Sequence, residues 1–258
     1  MKKRGQVTIL IILAIVIIIG VILFLYLKSS STKENQGREY FEQQGLQPSV
    51  NNIQNFIVEC LDITAKEAII QIGFQGGYHN KPEKFFDMQW AFIPYYYYQG
   101  TINQPNKEDI QNELSDYIND NLEVCINKIN FQNFKLSFQA PSTTTIIKPD
   151  EATFTTSLPT TIESNGNTIT FNLNQHPVSI NSSLDEIIKV ATYITQSHLT
   201  DPNQMCINCI TELAKENDLY VDFIAFEEDT TLVMILENRT MDQPYIFEFL
   251  NKYNLDQQ

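Results

Sequence analysis

Four cysteines hold most of the chemistry that can be read from this chain of 258 residues. Cys60 and Cys125 lie far apart in sequence, each on the apolar side of a helical repeat, while Cys206 and Cys209 form the tetrapeptide CINC. An even number of cysteines in a domain facing an oxidising compartment points to disulfides. A bond between Cys60 and Cys125 would staple two helices together and stabilise by roughly 4 kcal/mol, whereas a bond within CINC closes a tiny loop and is worth roughly 2 kcal/mol. CINC admits two other readings. Thiol–disulfide exchange needs a thiol of lowered pKa, which thioredoxin-like proteins obtain at the N-terminus of a helix that follows a buried strand. Here the preceding segment reads as helix, and Cys206 lies beyond Pro202, inside a predicted helix. A zinc site would need all four thiolates to converge. A structural pair, or buried reduced thiols, is the reading carried forward, with no metal and no cofactor expected.

A second concentration of contact chemistry follows the Gly76-Gly77 turn, where Phe85, Phe86, Trp90, Phe92, Tyr95, Tyr96, Tyr97 and Tyr98 crowd into one segment. Tyr and Trp bury area while keeping a polar tip, which suits a contact surface. Trp90 and Tyr95 to Tyr98 are therefore candidate partner-binding residues for a protein or a glycan. The competing reading is an extended strand whose alternate rings face the core and a neighbouring helix. His79, His176 and His198 are far apart, and none has a Cys or carboxylate at a metal-ligand spacing. Asn181-Ser-Ser and Asn238-Arg-Thr match the glycosylation sequon. No Gly-rich phosphate loop, HExxH or GxSxG is present, so no catalytic residue is assigned.

The elements that must position these residues follow from periodicity. Ser49 can cap a helix whose apolar face is Ile53, Phe56, Ile57, Cys60, Ile63, Thr64 and Ile70, ending near Gly73 or Gly76-Gly77. A second helix spans about 107–129, with Ile110, Leu114, Tyr117, Ile118, Leu122, Cys125 and Ile129 inside and Asp116, Asn119, Asp120 and Glu123 outside. The period then changes: 134–138, 143–147, 152–158, 160–163 and 168–173 alternate or are β-branched, with Asn165-Gly166 a strong hairpin turn, which predicts a small antiparallel sheet. Ser183 and Glu186 suggest a capping box opening a helix to about Ser197, and Asp201-Pro202 a helix to about Asn217. Strands at 219–226, 231–237 and 245–250 complete the chain. Grouped rather than alternating elements define an α+β class: antiparallel strands packed with about four helices over 49–258, with a sub-boundary near 130–150.

Ahead of that domain, Val7 to Leu27 is a run of 21 uncharged residues. At 1.5 Å per residue it is about 31 Å long, the thickness of a bilayer hydrocarbon core. It is longer than the apolar region of a cleaved secretory signal, so it reads as a retained single-pass anchor. Lys2, Lys3 and Arg4 precede it and favour a cytoplasmic N-terminus. Residues 28–48 are polar and aperiodic, a stalk between membrane and domain. The net charge is −14, and the chain beyond the basic start is more acidic still. Such a field repels phosphate backbones, which argues against nucleic acid as a partner.

The start KKRGQVTILIILAIVIIIG resembles the short basic Gly-Gln leader of archaeal type IV pilin-like proteins. That resemblance implies a basic leader 1–6 with cleavage between Gly5 and Gln6, and an apolar helix that anchors the subunit or packs in a filament. It departs at Leu10, where pilin helices carry a Glu. The body, with QGGY at Gln75–Tyr78, IPYYYY at Ile93–Tyr98 and the helices bearing Cys60 and Cys125, resembles uncharacterised surface-anchored proteins of small-genome archaea; the resemblance implies no activity. The expectation is a membrane-anchored, extracytoplasmic, non-enzymatic adhesion, scaffold or pilin-like subunit, with self-association left open. The alternative is an extracytoplasmic thiol-redox or chaperone-like module using CINC.

Overall fold

The computed structural model describes residues 50–128, 134–164, 166–200, 205–227, 229–237 and 245–253. The leader, the run at 7–27, the stalk, Ser49, Ile129, Asn165, Asp201-Pro202 and the second sequon lie outside them. Among the described residues no helix is long and apolar enough to cross a membrane.

The chain is α+β, as the grouping of its periods implies. In order it forms α1 (Val50–Phe74), β1 (Phe85–Asp87), β2 (Phe92–Tyr98), β3 (Thr101–Ile102), α2 (Lys107–Ile126), β4 (Lys135–Phe138), β5 (Ser142–Lys148), β6 (Glu151–Ser157), β7 (Pro159–Ser164) and β8 (Asn167–Asn172). A 3-10 turn (Leu173–Gln175) leads to β9 (Val178–Asn181), α3 (Leu184–Thr200), α4 (Ile207–Glu216), β10 (Leu219–Glu227), β11 (Thr230–Glu237) and β12 (Ile246–Lys252). The single small sheet expected for the middle is two: β4-β7-β8 and β5-β6-β9, both antiparallel. A third sheet has the order β1-β2-β12-β11-β10 with β3 on β2, and β12 runs parallel to β2.

One apolar core joins these parts. It takes Ile53, Ile57, Cys60 and Ile72 from α1, Ile110, Leu114, Ile118 and Leu122 from α2, Phe154 from β6, and Tyr96, Val233, Phe247 and Phe249 from the third sheet. Residues on both sides of 130–150 thus share a core. Ile63 and Ile70, expected on the buried face of α1, are 42% and 50% exposed. Ile126, one turn from the predicted Ile129, completes the buried stripe of α2.

Two local devices hold the helices to the strands. α2 opens on a full capping box: Asn106 accepts the N–H of Asp109, and the Asp109 carboxylate accepts the N–H of Asn106. Further along, Gln111 Oε1 accepts Ile147 N–H, Ser115 Oγ meets Thr145 Oγ1 and Asn119 Oδ1 accepts Thr143 N–H, each at 2.9 Å. Four helical residues rise about 6 Å and two strand residues about 6.6 Å, so this i, i+4 row keeps step with every second residue of β5. Asn119, expected on the wet side, therefore seals the open edge of β5. Near the other end of α1, a Cβ on Gly73 would come within 2.4 Å of Ile246 O and 2.7 Å of the Tyr245 ring, so only glycine lets the helix lie this close to β12. Gly76, at φ +51, closes the helix against Glu248 O.

Candidate functional site

Cys60 is fully buried in the core and bonded to Cys125, with the Cα atoms 5.7 Å apart. The two sit on facing helices, α1 and α2. Loop residues after α1 reinforce the same junction: Glu113 accepts the N–H groups of His79 and Asn80, both at 2.8 Å, and His79 Nε2 lies 2.9 Å from Asp120 Oδ2. The His79 ring meets Tyr117 edge-on. His79 is thus a tie between loop and helix.

Cys206 and Cys209 are bonded to one another, with Cα atoms 5.2 Å apart, and both are exposed. Here the structure corrects the sequence reading. The described helix starts at Ile207, so CINC is its first turn and Cys206 is its N-cap, accepting the Cys209 N–H at 3.3 Å through sulfur. The sequence reading placed CINC inside a helix begun at Asp201-Pro202. All four sulfurs are consumed in two disulfides, which removes the four-thiolate zinc arrangement. Among the described residues no group of three or more His, Cys, Asp or Glu is placed to hold a metal ion.

The aromatic segment divides. Tyr95, Tyr96 and Tyr97 are buried in β2 and Tyr98 is half-buried, whereas Trp90, at the β1–β2 turn, is 83% exposed. Tyr96 points into the main core, stacked 4.1 Å from Phe249, and its hydroxyl donates to Gly76 O at 2.9 Å. Burial raises its pKa far above that of a free phenol. Tyr95 lies on the opposite face of the sheet with Ile93 and Leu250, against Tyr98 and Phe86. Of the five candidate contact residues, Trp90 is exposed and Tyr98 half-buried, while Tyr95 and Tyr96 pack on opposite faces of the sheet, as the strand reading has it.

The start of α3 departs from the expected capping box. Ser183 N–H is taken by Glu237 Oε1 from the end of β11 at 2.6 Å, and Glu186 keeps a buried oxygen without a partner. Asp185, also in the first turn, is buried; that burial opposes its charge, but Lys107 at 2.5 Å and Lys189 at 2.6 Å hold its carboxyl below the usual range. Glu237 and Tyr245, which the sequence reading did not single out, are among the residues lining a cavity of about 820 Å³ between α1, β9 and the β11–β12 strand ends. The signal for it was available only as an excess of apolar residues on α1, at Ile70 and Phe74. No protein-family model, curated protein or solved structure matches this chain.

Proposed function

We propose that the chain is a single-pass, membrane-anchored protein of the cell surface, its cytoplasmic N-terminus followed by the run at 7–27 and an extracytoplasmic domain that acts as an adhesion, scaffold or pilin-like subunit. The observation that carries this reading is the Cys60–Cys125 disulfide, set in the core between α1 and α2. A core staple of this kind forms where thiols are oxidised during folding. The uncharged run at 7–27 and the basic residues ahead of it supply the anchor and its orientation. The acidic domain suits a partner that is a protein or a glycan at the surface, not a nucleic acid. Membrane fractionation with protease treatment of intact cells tests the reading: the chain should pellet with membranes and lose its C-terminal domain to external protease. Recovery in the cytosolic supernatant, or a domain left uncut until lysis, would contradict it. Cleavage between Gly5 and Gln6 is the mark of the pilin-like form, and a mature N-terminal peptide that still holds Met1 would remove it.

The position of CINC favours a second reading, an extracytoplasmic thiol-redox module. Once the bond is reduced, a Cys206 thiolate at the N-cap would face the positive end of α4 and the Cys209 N–H, an arrangement that lowers a thiol pKa. A Cys206 thiol titrating well below a free cysteine supports this module; one titrating at the ordinary value leaves a structural pair.

A further inference from the structure

The fold treats its sheet edges unequally. Among the described residues β1, β3, β4 and β9 are two to four residues long, β8 is mostly Asn and Thr, and β5 is sealed by Gln111 and Asn119 of α2. Proteins keep edges from pairing by such means. β10 differs: it is the outer strand of the large sheet, nine residues long, without Pro, Lys or Arg, and paired with β11 alone. Its bulge lies beyond Ala225, at the far end, and Tyr220 and Ile224 stand 60% and 41% exposed.

The direction of the backbone groups follows from the neighbouring ladder. Glu237 N–H donates to Tyr245 O and Tyr253 N–H to Asp229 O, so the odd-numbered residues of β11 face β12 and the even-numbered ones face β10. Leu236, Met234 and Leu232 therefore exchange bonds with Tyr220, Asp222 and Ile224, which leaves Val221, Phe223 and Ala225 turning N–H and C=O outward. One contact agrees with this: Phe223 N–H donates to Asp222 Oδ1 at 2.9 Å, a side chain standing where the carbonyl of a further strand would lie. Side chains alternate in step. Val221 and Phe223 pack on the main core, while Tyr220, Asp222 and Ile224 form an exposed row on the other face, two apolar groups about an acid. Glu227, beyond the row, is met by Lys252 at 4.0 Å, so Asp222 is the charge that a strand laid along this edge would meet.

We propose that the outer edge of β10 takes up an extended peptide of a protein partner as a further antiparallel strand, with a basic residue opposite Asp222 and apolar residues opposite Tyr220 and Ile224. The peptide residues on either side of the basic one exchange backbone bonds with Val221 and Phe223. Phe223 N–H then passes from Asp222 to a peptide carbonyl, and the released carboxylate meets the basic side chain across the strands. Asp222 and its partner form a non-hydrogen-bonded pair, the kind that brings side chains closest. A second copy of the chain fits less well, because LYVDFIAFE laid against itself offers the acid no base. The proposal gives the surface-protein reading a partner class but stands on β10 alone: cell fractionation can contradict that reading while the peptide still binds, and the reverse.

The test is fluorescence anisotropy of a labelled peptide, acetyl-Thr-Val-Thr-Lys-Thr-Val-Thr-amide, titrated with the full chain in nanodiscs of zwitterionic lipid, with empty nanodiscs as blank. Two controls accompany it: the same peptide with Glu for Lys, and the Lys peptide N-methylated at the two Thr beside the Lys, which removes the N–H groups aimed at β10. The expected result is saturable one-site binding of the Lys peptide, about tenfold weaker binding of the Glu peptide and none of the N-methylated one. Asp222→Lys should reverse the order of the Lys and Glu peptides and melt near the parent temperature, since the side chain is exposed. Should that variant not fold, the N-methylated peptide on the parent decides alone. No saturable binding, equal binding of the Lys and Glu peptides, indifference to N-methylation, or an unchanged order in a folded Asp222→Lys protein each overturns the proposal. So does cross-linking of two Ile224→Cys chains by a short bismaleimide that excess peptide leaves unchanged, which would give the edge to a second copy.

Discussion

The two disulfides present the same bond in opposite settings. Cys60–Cys125 joins residues 65 apart and ties α1 to α2, with Cys60 in the core, while Glu113, His79 and the α2–β5 row of polar contacts hold α2 further along its length. Cys206–Cys209 joins residues 3 apart, is exposed, and caps a ten-residue helix that packs chiefly on β10 at the margin of the large sheet. A long closed loop removes much disorder from the unfolded chain, and a short one removes little. The first bond thus acts on stability. The second is placed to be reached from solvent, and what it contributes lies in its chemistry or in local order.

The comparison is broken most directly by deleting each bond. Replacing Cys60 and Cys125 together by Ala should cost about 4 kcal/mol in urea unfolding, plus any loss from the vacated core volume. A loss under about 1 kcal/mol would mean the α1–α2 junction does not need its staple. Gly73→Ala sharpens the contrast, because it strains the same helix where it meets β12. With a methyl 2.4 Å from Ile246 O, a destabilisation of about 1–3 kcal/mol is expected, read as a fall in Tm. Removing Cys206 and Cys209 should cost no more than roughly 2 kcal/mol, with the change confined to α4 and β10 in hydrogen exchange. Protection lost across α1 as well would erase the distinction between the two regions.

The smallest effects separate two carboxylates. Asp185 has its pKa lowered by Lys107 and Lys189 against the cost of burial. Its contribution is present above the unfolded value of about 3.9 and is lost as pH falls through the folded one. Glu248, on β12, has its pKa raised by burial alone. A raised acid favours the fold while protonated, so its contribution is present below about 4.3 and is lost as pH rises through the folded value. Glu248→Gln should therefore gain stability relative to the parent as pH climbs from 4 to 7, and Asp185→Asn should lose it as pH climbs toward about 4 from below, with little further change above. Melting temperatures relative to the parent, followed from pH 2 to 7, should fall with pH for Asp185→Asn at the acid end and rise for Glu248→Gln above about pH 4; differences flat with pH would contradict both assignments.

Much of the fold was legible because its elements are long and strongly periodic. α1, α2 and the terminal strands β10 to β12 follow apolar spacing closely. What escaped was short or tertiary. β1, β3 and β9 have two to four residues each, too few for a period to declare itself. Ser183 reads as half of a capping box, but Glu237, distant in sequence, reaches its N–H instead of Glu186. Asn119 looks like a solvated helix residue until β5 is laid beside it. At the candidate sites, residue types were visible and their placing was not. The IPYYYY run shows its aromatic content but not that β2 is an inner strand, and CINC shows its spacing but not that α4 begins at Ile207. Ile70 was assigned to the core because helical spacing shows which face is apolar, not whether another element covers it.

Two disulfides in a domain proposed to face an oxidising exterior, one with Cys60 fully buried and Cys125 half-buried and the other exposed at both cysteines, are the centre of the account. Intact cells treated with a mild reductant and then with a membrane-impermeant alkylating reagent, followed by peptide mass spectrometry, test it in one step. The account predicts no labelling without reductant, rapid labelling of Cys206 and Cys209 after it, slower labelling of the half-buried Cys125, and Cys60 unlabelled until the protein is unfolded. Free thiols at any of the four positions before reduction, or labelling that appears only after lysis, would contradict it.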